Sequence, residues 1–116
     1  MEMNKYQFMS KRTIPHQDFY KNPAARRDLI CNLVCGINGE TGELTDLLKK
    51  HLFHGHELDV EELEKEIGDI LWYLAGLATV FNIQLDVVAE KNLAKLSKRY
   101  PNGFSVEDSK KRVDVQ

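Results

Sequence analysis

Two stretches of this chain repeat their apolar residues at helical spacing, and each carries a pair of carboxylates inside that repeat. Between residues 24 and 52 the series Leu29, Ile30, Leu33, Val34, Ile37, Leu44, Leu47 and Leu48 predicts a long amphipathic helix. Between residues 59 and 81, Leu63, Ile67, Ile70, Leu71, Leu74, Leu77, Ala78 and Phe81 predict a second buried stripe, with Asp59 as its cap. Strand-like alternation, internal repeats and low-complexity tracts are absent, so the chain is expected to be all-α, a bundle of four to five helices. Residues three apart on a helix differ in direction by about 60°, so Glu40 and Glu43 share a face, as do Glu66 and Asp69. A carboxylate set among apolar neighbours needs compensation. Four of them from two helices can converge on a hard cation such as Mg²⁺, which binds carboxylate oxygens together with substrate phosphates.

The remaining elements follow from punctuation. Residues 4–13 predict a short first helix with Tyr6, Phe8 and Met9 as its apolar contacts, and 13–23 a connector in which His16 and Asp18 are exposed loop residues. Pro23 suits the first turn of the long helix. Gly36, Gly39 and Gly42 weaken that helix by about 1 kcal/mol each relative to alanine. They either make room beside Glu40 and Glu43 or mark a local kink or a simple helix crossing. His51, His54 and His56 around Gly55 read as a solvated loop rather than a zinc site. A fourth helix from Leu85 or Asp86 to just before Pro101 aligns Val88, Asn92, Lys95 and Arg99 at spacings of four, three and four. Residues 1–105 are expected to form one domain, with Phe104 folding back on it, and 106–116 a polar tail.

Charge narrows the partner. A formal net charge of -2 leaves no basic excess for a nucleic-acid backbone, so phosphate chemistry here implies a small ligand. Cys31 and Cys35 are expected as buried small apolar residues. With no signal-peptide pattern and no apolar run able to cross a bilayer, a cytoplasmic protein is expected. Oxygen-only ligands favour Mg²⁺, with Mn²⁺ as a substitute, and the Glu-x-x-His pairs of di-iron bundles are missing. Lys50 falls within about 20° of Glu43's direction, and Tyr73 one turn past Asp69 stays near the acidic face. Lys95 and Arg99 are natural phosphate partners, and Asn92 suits a ligand hydroxyl or a metal-bound water.

Gly39-Glu40-Thr41-Gly42-Glu43-Leu44, the run from Glu66 to Leu74 (EIGDILWYL), Asn92-Leu93-Ala94-Lys95-Leu96 and the segment from Arg99 to Phe104 (RYPNGF) together resemble the MazG-like nucleoside triphosphate pyrophosphohydrolases over roughly residues 28 to 105. The resemblance implies an all-α fold completed by oligomerisation, as homodimer or homotetramer, with each site built from two copies. It implies Mg²⁺-dependent cleavage of (deoxy)nucleoside triphosphates to the monophosphate and pyrophosphate. It assigns Glu40, Glu43, Glu66 and Asp69 to metal, and Asn92, Lys95 and Tyr73 to the vicinity of substrate. Glu40 or Glu43 is expected to position or deprotonate the attacking water, with Lys50, Lys95 or Arg99 stabilising the departing pyrophosphate. Some relatives carry a further Glu just before the first motif Glu; here Gly39 stands there. Trp72 is expected in the core or at a subunit interface rather than stacked on a base. The competing readings are a non-catalytic helical metal- or protein-binding module, and a phosphoribosyl-ATP pyrophosphohydrolase-like enzyme.

Overall fold

Local chemistry explains where the helices start. In the computed structural model, which describes residues 1–115, Asn22 precedes the helix α2 (Pro23–Phe53), and its Oδ1 accepts from the backbone N–H groups of Ala24 at 3.1 Å and Ala25 at 3.2 Å. Pro23 occupies the first turn, where a missing N–H is harmless. The helix stops where Gly55, at φ +72°, lets the chain turn back so that His54 and His56 both donate to the Lys50 carbonyl. Asp59 then caps α3 (Val60–Val80) through Glu61 and Glu62.

These two helices form an antiparallel hairpin that contains most of the core. Leu29 and Leu33 are fully buried against Ile14 and Val80, with Phe19, Trp72, Tyr73 and Leu77 around them. Two glycines set how close the helices come. A Cβ on Gly76 would lie 2.9 Å from Leu33, and one on Gly36 would fall inside the Tyr73 ring, 2.1 Å from Cε1. Tyr73 thus occupies the space that Gly36 vacates, so at this glycine the alternative of a helix crossing holds. Trp72 belongs to this core, as expected. Its Nε1 donates to Thr13 Oγ1 at 2.8 Å, and its ring meets Tyr73 edge-on at 5.0 Å.

The first helix, α1 (Met3–Ser10), differs from its reading. Phe8 and Met9 are exposed, and the buried residues are Gln7 and Ser10. Polar side chains are tolerated there because they are bonded. Gln7 Nε2 donates to the Ile83 carbonyl at 2.7 Å and to Thr79 Oγ1 at 3.3 Å, while its Oε1 accepts from the Leu85 N–H at 2.9 Å. Asn4 Oδ1 accepts from the Asp86 N–H at 3.0 Å. The helix α4 (Leu85–Arg99) is therefore capped by α1, since its own N-cap residue Gln84 makes no side-chain cap. It leaves α3 at a bend of 103°, through Asn82 at φ 54°, and Leu85 is its one buried residue.

Three expectations are corrected here. The stripe predicted to be buried on α3 is half uncovered: Ile67, Leu71, Leu74 and Phe81 are exposed, and the last three join Val88 around an apolar groove of about 500 Å³. The reason is that α2 covers the opposite face, that of Glu66, Tyr73 and Gly76. Cys31 and Cys35 are exposed, because they stand diametrically opposite Leu29 and Leu33 on α2. The tail is not merely a polar extension. A short helix, α5 (Val106–Lys111), starts on a Ser105 cap, and the Asp114 side chain, fully buried, grips Arg99 through Nε at 2.6 Å and Nη2 at 2.7 Å. Phe104, expected to anchor the tail, is exposed against Tyr100. Of the expected tail, Gln116 lies outside the described residues. The described residues contain five α-helices and no strand, and no single helix is long and apolar enough to cross a membrane.

Candidate active site

One turn along the hairpin from the Gly36–Tyr73 contact, the acids meet. Glu40 and Glu43 come from α2 and Glu66 from α3, and each offers a carboxylate oxygen within 4.8 Å of the others. The helical repeat that buries Leu33 also turns Glu40 and Leu47 toward α3, because these positions differ by whole turns. Glu66 is buried, Glu40 half-buried and Glu43 exposed, so the cluster opens at Glu43.

Burial and mutual repulsion leave their mark on the protons. The Glu66 carboxyl is pushed up to about 7, first by burial and then by its hydrogen bond to Glu40 and the charge of Glu43. Burial also raises Glu40, and the charges of Glu43 and Asp69 add to it, although the Glu66 hydrogen bond opposes them. Burial and the neighbouring acids thus favour a proton on Glu66 when no cation is bound. Oε2 of Glu40 and Oε2 of Glu66 are buried and make no hydrogen bond. Two orphaned acceptors in a three-carboxylate cluster fit a hard divalent cation, which would satisfy both and replace the proton.

A cavity of about 470 Å³ runs from this cluster, walled by α2 and α3 alone: Gly39, Gly42, Glu43, Asp46, Leu47, Lys50, Glu62 and Glu66. Nothing lies within 4 Å of where a Cβ on Gly39 or Gly42 would stand, so these two glycines keep the approach to Glu43 open. Lys50 lies in the cavity wall, its Nζ 2.8 Å from Asp46 Oδ2. Asp69 is exposed and close enough to raise both Glu40 and the α1 residue Tyr6, whose larger perturbation is burial. Tyr73 sits on Gly36, below the acids. The α4 residues fall elsewhere: Asn92 edges the apolar groove, Lys95 is exposed, and Arg99 is held by Asp114. Asp46 and Glu62 were not singled out from the sequence. Their spacing was the available signal, Asp46 three residues after Glu43 and Glu62 four before Glu66, each extending an acidic face by one turn.

A helical hairpin that gathers carboxylates from both arms beside an open polar cavity defines a class of all-α proteins whose acids could hold a metal ion. The particular family is also shown: residues 31–104 match the MazG nucleotide pyrophosphohydrolase domain, and the chain belongs to that family. It is similar to the Gene 37 protein of Mycobacterium phage L5, at 36% identity over 72 residues, which is 59% of this chain. The match spans 63% of that relative's length. No solved structure gives a significant match.

Proposed function

We propose that the protein is a Mg²⁺-dependent nucleoside triphosphate pyrophosphohydrolase that acts in the cytoplasm, releasing a nucleoside monophosphate and pyrophosphate. The observation that carries this reading is the pair of buried, unbonded oxygens on Glu40 and Glu66 beside Glu43. Family membership supplies the reaction class.

In the proposed site Glu40, Glu43, Glu66 and Asp69 hold the metal, for which Mn²⁺ is a substitute. When bound, the metal supplies charge neutralisation for the triphosphate and acidifies water. Glu43 has the most open carboxylate of the cluster, so it or Glu40 orients water and accepts its proton. The water oxygen forms a bond to the α-phosphorus while the bond from that phosphorus to the α,β-bridging oxygen breaks, and the electron pair leaves with pyrophosphate. Lys50, already in the cavity wall, faces the departing charge. Tyr73 is assigned to the sugar by its position in the family motif, one turn past Asp69. Asn92 and Lys95 complete the site from a second copy, because the 103° bend carries α4 away from its own hairpin and leaves the apolar groove to be covered in a dimer or tetramer. Arg99 takes part only by exchanging Asp114 for phosphate.

The test is pyrophosphate release from a panel of ordinary, deoxy and damaged nucleoside triphosphates and phosphoribosyl-ATP, with and without Mg²⁺. Glu43→Gln and Asp69→Asn are expected to lower kcat by at least a hundredfold with the fold intact by circular dichroism. Release that persists unchanged in both variants overturns the assignment.

A further inference from the structure

Asp46 lies one helical turn beyond Glu43 and lines the same cavity, yet it is not in the three-carboxylate cluster. Both of its oxygens are engaged with cations of its own helix: Oδ2 with Lys50 Nζ at 2.8 Å, Oδ1 with Lys49 Nζ at 3.4 Å. Among the described residues Lys50 is the one cationic side chain in the cavity wall, which otherwise carries Glu43, Asp46, Glu62 and Glu66. The Lys50 and Asp46 side chains are about half exposed, at 45% and 49%, so the pair is solvated and readily broken. A polyphosphate entering this cavity meets a lysine already held by a carboxylate.

We propose that Asp46 is a positioning residue that keeps Lys50 at the cavity wall and competes with substrate and product phosphates for its ammonium group. The proposal rests on the pyrophosphohydrolase reading and adds to it a role for a residue outside the metal cluster. When phosphate arrives, Lys50 turns from Asp46 to the anion. When pyrophosphate leaves, Asp46 takes Lys50 back, so affinity is given up in exchange for faster product release.

The experiment is titration calorimetry of inorganic pyrophosphate in saturating Mg²⁺, on the full chain, with wild type, Asp46→Asn, Lys50→Met and the double variant. Asp46→Asn is expected to tighten binding about fivefold, the effect of removing one charge roughly 8 Å from a net dianion in water-like dielectric. A competitor also couples the two sites, so Lys50→Met must weaken binding at least twofold more in the Asp46→Asn background than in wild type. Equal cost in both backgrounds means the two side chains act independently and overturns the proposal, as does weaker binding by Asp46→Asn. Turnover of a triphosphate provides the second readout: Asp46→Asn lowers KM and lowers kcat where release limits the rate, and Asp46→Glu restores both. A wild type that binds Mg²⁺ but no pyrophosphate defeats the functional reading along with this one. Binding without the coupling defeats this one alone.

Discussion

Replacing Gln7 with alanine tests whether α1 seats the rest of the molecule. Three contacts are lost, of unequal worth. The Leu85 N–H is buried and becomes unpaired, at a cost of about 1–3 kcal/mol. The Ile83 carbonyl belongs to a residue 45% exposed, so water replaces Gln7 there and the loss is about 0.5–1.5 kcal/mol. The 3.3 Å contact to Thr79 is long and adds little, and alanine's helix propensity returns a few tenths. The sum is a loss of about 1–4 kcal/mol, a sizeable share of the stability of a domain this size. Urea unfolding followed by far-UV circular dichroism, at fixed protein concentration, measures it. Gln7→Glu keeps an acceptor for Leu85 but loses the donor to Ile83, so it should fall between wild type and alanine. Asn4→Ala, which removes one cap bond to Asp86, should cost about 1 kcal/mol. A Gln7→Ala protein within 0.5 kcal/mol of wild type would mean that α1 does not hold the turn between α3 and α4.

The raised Glu66 carboxyl makes the metal-free protein sensitive to base. Below about 4.5 both folded and unfolded chains are protonated; between there and about 7 the folded chain binds more protons, so stability falls as pH rises. Thermal unfolding in EDTA should therefore give a lower Tm at pH 8 than at pH 5, and Mg²⁺ should raise Tm at pH 8 and hardly at all at pH 5. At Asp114 the sign reverses, because Arg99 holds its carboxyl down at about 2: the contribution is present above about 3.8 and is lost as pH falls toward 2, and Asp114→Asn should abolish that part of the acid transition. Gly36→Ala must displace the Tyr73 ring, so overpacking of about 1–3 kcal/mol should outweigh the roughly 1 kcal/mol of helix propensity gained. Gly42→Ala meets nothing and should stabilise the free chain by up to about 1 kcal/mol while narrowing access to Glu43, a split that unfolding and pyrophosphate binding would expose.

What was legible in the sequence was mostly local. Pro23, Asp59 and the apolar repeats announce α2 and α3 because first-turn residues, caps and periodicity act within a few residues. The paired acids were visible as a spacing, and the hairpin brings Glu40, Glu43 and Glu66 within 4.8 Å. Gln7 was invisible because its partners lie 72 to 78 residues away. Periodicity identified the apolar residues of α3 but could not say which would be covered, since that depends on where α1, α2 and α4 lie. The Arg99–Asp114 fork, 15 residues apart across a turn, was hidden for the same reason.

The ring of Tyr73 in the gap at Gly36 acts as a peg in a single hole. Sliding α3 by one turn would press that ring onto Asn32 or Glu40, where a side chain already stands. The alignment of the carboxylates is thus dictated by an apolar joint four residues from Glu40 and seven from Glu66, and loosening that joint would blunt the acids without altering one of them.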